Sequence, residues 1–131
     1  MHDIGKLLVL KAFEILQGIK GKTIKISINA KREFLHVLHA EYGFELMTQW
    51  NLPEEYCIVC RDHHNEDFDK DNILLIATRL ANLACKKIGI GINKDPDIVM
   101  ITSPEANIFN LSEIALAELE ITLETQILKT L

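Results

Sequence analysis

The sequence predicts an all-α protein, a compact helical bundle. Three observations carry this. Apolar residues recur at helical spacing through most of the chain. Helix-stop glycines and helix-start serines and prolines fall between those stretches. Only one short stretch alternates as a strand would, and it has no partner strand.

Residues 4–17 are rich in Leu, Ile, Val, Ala and Phe and stop at Gly18, which predicts a first helix. Leu7, Leu10, Phe13 and Leu16 are its expected apolar stripe, and they need a partner surface. Gly18 and Gly21 bracket a basic turn, and residues 23–28 alternate through Ile24, Ile26 and Ile28. Without a partner strand, that segment reads as an extended linker. Residues 30–50 predict a second helix, in one or two pieces, with Phe34, Leu38, Phe44, Leu46 and Met47 supplying its apolar side. Pro53 suits the first turn of a third helix running to about His64. Trp50 reads as a core anchor at that junction.

The acidic residues 65–72 predict a loop, with Asp69 or Asp71 capping the next helix. Ile73, Ile76, Leu80, Leu83, Ala84 and Ile88 then mark a fourth helix closed by Gly89. Residues 90–101 read as a loop. Thr102-Ser103-Pro104-Glu105 has a capping-box pattern ahead of a short helix. Ser112-Glu113 opens a last helix, with Leu116, Leu119, Leu123 and Ile127 on one stripe. No internal repeat is visible, and residues 1–131 read as a single domain.

Composition narrows the function classes. The chain has 131 residues, 48% hydrophobic and 25% charged, which are globular values and not those of a disordered tail. No apolar run approaches the roughly 18 residues that span a bilayer. The first residues do not read as a secretory signal, so a cytoplasmic protein with no membrane partner is expected. The net charge of −5 hides an asymmetry. Residues 1–32 hold seven Lys/Arg and two Asp/Glu, and the remainder holds seven and seventeen. The basic residues are scattered, and Lys20, Lys22 and Lys25 form only a loose loop cluster, so no nucleic-acid partner is expected. The three cysteines, Cys57, Cys60 and Cys85, read as reduced thiols. Cys57-x-x-Cys60 near His63 lacks the second pair of a structural zinc site and reads as helix packing. Residues 67–78 fail as a calcium loop, with Asn72 and Thr78 where Gly and Glu are needed.

The five histidines are the most informative feature. His2 stands beside Asp3, His36 and His39 lie three apart on one helix, and His63-His64 precedes the acidic loop. Imidazole and carboxylate are good ligands for Fe, Mn, Zn or Ni. Helix-borne ligands have no fixed spacing, so spacing alone does not separate a metal site from scattered histidines.

The ordered set His2-Asp3-Ile4-Gly5-Lys6, His39-Ala40-Glu41-Tyr42-Gly43, Trp50-Asn51-Leu52-Pro53 and His63-His64 resembles the HD superfamily of metal-dependent phosphohydrolases. It is most similar to the HDOD branch, the HD-related output domain of bacterial signalling proteins, over roughly residues 1–115. The resemblance implies an HD-type helical bundle that is the C-terminal part of a longer domain. It implies His2, Asp3, His39, His63 and His64 as ligands of a divalent transition metal (Fe, Mn, Zn or Ni), with Asp3 and Lys6 catalytic if the chain is an enzyme. In that case Lys6 would neutralise a phosphate oxygen. Two departures weigh against catalysis: no His stands upstream of His2-Asp3, and Thr78 occupies the place of a later ligand Asp. The expected function is a regulatory module acting through protein contacts. Its partner would be a signalling protein or N-terminal helices of the same protein, and a homodimer is among the assemblies it allows. The alternative is a phosphohydrolase of a nucleotide or another phosphate ester.

Overall fold

The structure is a computed structural model that describes residues 1–18, 27–91 and 93–130. The described residues are helical and contain no strand. Lys20, Lys22, Lys25 and most of the alternating 23–28 segment lie outside them. By internal packing the chain divides into two units, Met1–Phe68 and Asp69–Leu131, where the sequence reads as one domain. Between them the 65–72 segment is polar except for Phe68, which is buried.

The first unit holds α1 (Gly5–Gln17), α2 (Ile28–Gln49) and α3 (Glu54–Asp62). Ser27 begins α2 with an extended backbone, and its hydroxyl accepts from the Ala30 N–H. Ile28, expected in an extended segment, is the first residue of that helix. α2 is one continuous helix. Its buried stripe is Leu35, His39, Gly43 and Met47, each one turn after the last. Phe34, expected in the apolar side, is half exposed and meets the edge of Phe13 instead. On α1 the buried residues are Val9 and Phe13, packed on Leu35, whereas Leu7, Leu10 and Leu16 are exposed. The inward stripe is therefore Gly5-Val9-Phe13, with Gly5 in close approach to α2. α3 packs Cys57 and Cys60 against Met47, Phe44 and Leu52. Trp50 is 56% exposed and is not the expected core anchor. The turn after α2 passes through Asn51 at a φ of 54°, and Leu52 takes the inward position.

The second unit holds α4 (Ile73–Ile88), a 3₁₀ turn (Met100–Thr102), α5 (Pro104–Ile108) and α6 (Glu113–Thr130). α4 is capped by Asn72, whose side chain accepts from the Leu75 N–H. Asp69, an expected cap, accepts from the Asp71 N–H within the loop. Gly89 closes α4 at a φ of 86°, a left-handed conformation that suits glycine. Ser103, not Thr102, caps α5. Glu105 is thereby free to pair with Arg79 at 2.7 Å, with both side chains largely buried. Leu80, Ala84, Met100, Ala106 and Leu116 form the core of this unit, with Leu119 and Leu123 against it.

Candidate metal centre

Asp3 sits in the turn that leads into α1. His39 lies mid-way along α2 and is fully buried. His63 follows α3 directly, with His64 beside it. The fold of the first unit brings these four residues together, with one ligand-type atom of each within 4.8 Å of the others.

Hydrogen bonding sets the proton positions. His39 Nδ1 lies 2.5 Å from the Leu35 carbonyl oxygen, one turn back on its own helix. His63 Nδ1 lies 2.7 Å from the Cys60 carbonyl oxygen. A carbonyl only accepts, so each Nδ1 carries the proton and donates it. In the neutral rings each Nε2 is then a lone pair. The two Nε2 atoms lie 3.2 Å apart. Both also face Asp3 Oδ1, at 3.4 Å from His39 and 3.5 Å from His63. Asp3 Oδ1 is buried and accepts no hydrogen bond. Where both rings are neutral, these two nitrogens and the carboxylate oxygen meet as ligand-type atoms that a bound cation would satisfy. The spacing suits one. Bonds of about 2.0–2.1 Å set tetrahedral ligand atoms roughly 3.3–3.4 Å apart. The Nδ1 donations are the orienting contacts that metal-bound imidazoles ordinarily make.

The surroundings hold this geometry. Lys6 Nζ donates to the other carboxylate oxygen, Asp3 Oδ2, at 2.8 Å. His2 Nε2, also buried without a hydrogen bond, lies 3.4 Å from the same oxygen. Burial would push the Asp3 carboxyl up, but its contacts with His2, His39, His63 and Lys6 prevail and hold it well below the ordinary carboxylate range. The Cys60 thiol donates to the His2 carbonyl at 3.0 Å, tying the turn before α1 to α3. Burial first, then the negative charge of Asp3 and Cys57, pushes that thiol up to about 11. Cys60 therefore stays protonated and braces the site as a donor. This agrees with the packing role expected for the Cys57–Cys60 pair.

All five histidines join one cluster of rings. His63 stacks obliquely on His64 at 4.0 Å between centroids and meets His2 edge-on at 4.9 Å. His36, absent from the expected ligands, lies 5.0 Å from the His64 ring on the exposed side. Gly5 and Gly43 make the close approach of the unit's helices possible. A Cβ on Gly5 would stand 1.8 Å from the His39 carbonyl oxygen, and one on Gly43 would stand 2.5 Å from Cys60 Sγ. Small residues two after Asp3 and four after His39 were the available signal: they let α1 reach α2 where the ligands meet. Thr78, read as replacing a ligand Asp, lies in the second unit, and its hydroxyl donates to the Leu74 carbonyl of its own helix.

A family model described as the HDOD domain matches residues 1–66. The chain belongs to the HDOD family. The match ends within the first unit, whereas the sequence resemblance extends to about residue 115. All the candidate ligands therefore fall inside the HDOD match. No curated protein and no solved structure matches the chain. Among the described residues, no helix is long and apolar enough to cross a membrane.

The charges predict a pH response in the metal-free HDOD protein. Burial, reinforced by His63, His39 and His36 and opposed by Asp3, lowers the His64 imidazole from its ordinary 6.5 to about 3. Between those values the unfolded chain binds the extra proton and the folded one does not, so stability falls as pH falls. Asp3 adds to this at lower pH. Its folded carboxyl titrates below the ordinary 3.8, so its contribution is full above that value and is lost as pH falls through the folded one. Urea midpoints should decline from about pH 6.5 downward, and His64→Gln should flatten the upper part of the decline. Equal slopes in parent and variant would remove His64 as the cause.

Proposed function

We propose that the chain is a regulatory HDOD module of bacterial, cytoplasmic signal transduction, acting through protein contacts, with a divalent transition metal held by Asp3, His39, His63 and His64. The observation that carries the metal reading is the convergence of one ligand-type atom each from Asp3, His39, His63 and His64 within 4.8 Å of one another. A divalent metal would supply the positive charge that this set lacks. The residues would then join the turn before α1, the middle of α2 and the end of α3, which are far apart in sequence. Ligation that exists only in the folded chain stabilises it.

Three features favour regulation over turnover. Lys6 is engaged with a ligand carboxylate and is not free to meet a phosphate oxygen. The chain also offers Thr78, a poor ligand, where catalytic relatives carry an acid. The stretch after His63-His64 reads Asn65-Glu66-Asp67-Phe68-Asp69-Lys70-Asp71-Asn72, with four acids and one lysine, which repels a phosphodiester.

The test has two arms. Metal analysis of protein purified without chelator or nickel column should find a transition metal bound. Incubation with cyclic di-GMP, with Fe or Mn supplied, should release no linear product. Linear product from the parent but not from His2→Ala would replace the regulatory reading with a phosphohydrolase.

A further inference from the structure

Helix α6 is apolar on two opposite faces. Leu116, Leu119 and Leu123 pack into the core of the second unit. On the other side Ile114, Ile121 and Leu128 stand 74%, 62% and 74% exposed. They lie seven residues apart, with exposed Ala117 and Thr125 between them. At 100° per residue these five positions form one straight seam of the kind that packs against another helix. A groove of about 360 Å³ adjoins it, floored by Met100, Leu116 and Ala117 and rimmed by Asp97, Glu113 and Glu120.

Charge decides what the seam accepts. Glu113, Glu120 and Glu124 run along its groove side, and Glu118 stands on the other. Lys129 is the one basic residue of α6. Lys87, on the groove wall, is already paired with Glu120 at 2.7 Å. A second copy of α6 laid along the seam would set glutamates against glutamates. An anionic lipid surface would be repelled in the same way. A helix with basic residues beside its apolar stripe would satisfy both the seam and its rim.

We propose that the exposed α6 seam and its adjoining groove are a docking site for a cationic amphipathic helix of a partner protein. The inference rests on the regulatory reading and deepens it, because it assigns the protein contact to a surface outside the HDOD match. Apolar residues of the partner would lie along Ile114, Ile121 and Leu128, and its Lys or Arg residues would face Glu113, Glu124 and Asp97.

The probe is a fluorescent peptide of about 18 residues, five helical turns, with Leu at heptad spacing flanked by Lys and Arg. It is titrated against the full chain by anisotropy. Saturable binding is expected that weakens with added salt. It should weaken at least about tenfold in Ile121→Ser and in the double variant Glu113→Lys, Glu124→Lys. These positions are exposed, and circular dichroism confirms that each variant keeps its fold. A peptide with Glu in place of Lys and Arg should not bind. Absence of saturable binding, or binding that both variants leave unchanged, overturns the proposal. So does sedimentation of the parent as a dimer that Ile121→Ser dissociates, which would assign the seam to a second copy. The two readings fail separately. Metal-dependent turnover of cyclic di-GMP with peptide binding intact removes the regulatory reading alone, and no peptide binding with no turnover removes the docking site alone.

Discussion

Gly5→Ala is expected to destabilise the first unit by about 3 kcal/mol or more and to dismantle the candidate metal centre with it. The new methyl carbon would stand 1.8 Å from the His39 carbonyl oxygen and 2.7 Å from the Gly43 nitrogen. Both are backbone atoms of α2, so no side chain can swing aside. The start of α1 must instead lift off α2, and Asp3, two residues away, moves with it. The 3.4 Å separation between Asp3 Oδ1 and His39 Nε2 then opens. Gly18→Ala is the control. Its nearest neighbour would be a backbone oxygen at 3.4 Å, and its φ of −87° is ordinary for alanine, so its effect should be within about 0.5 kcal/mol. Urea denaturation of both variants measures the difference. A Gly5→Ala protein as stable as the parent would mean that α1 does not lie as close to α2 as the structure has it.

Asp3→Asn is expected to lower metal affinity by at least about 100-fold while leaving the chain folded. The substitution keeps the shape of the side chain but removes the charge that faces His39 and His63. With metal at 100 times its dissociation constant, the parent gains about 2.7 kcal/mol, or roughly 10 °C in melting temperature. The variant should lose most of that shift at the same metal concentration. His36→Ala separates ligation from general histidine chemistry, since His36 touches His64 from outside the four-residue group and should leave the shift nearly intact. Thermal melts with and without Mn or Zn read both. An Asp3→Asn protein that keeps the full shift would place the metal elsewhere.

Much of this was legible in the sequence, for a definite reason. Helix periods, the Gly18 and Gly89 stops and the Ser103 and Ser112 starts are local properties, and the helices follow them. The candidate ligands were legible as a set because the HDOD pattern carries them in order within residues 1–66. What sequence could not decide was direction. α1 offers Leu, Val, Ile and Phe nearly all round, so its composition does not choose an inner face. The contact of Gly5 with α2 chooses Val9 and Phe13 and leaves Leu7 and Leu10 outside. The same ambiguity misplaced Phe34 and Trp50, since bulk and apolarity do not say which way a helix turns. The proton positions on His39 and His63 are likewise tertiary facts. They depend on which carbonyl each Nδ1 meets, and only the packed unit brings the two Nε2 atoms to one carboxylate oxygen. Local propensity and the ordered motif thus determined the helices and the residue types of the candidate site. The close approach of one glycine to a neighbouring helix decided how they meet, because steric exclusion between backbones acts only once the elements touch.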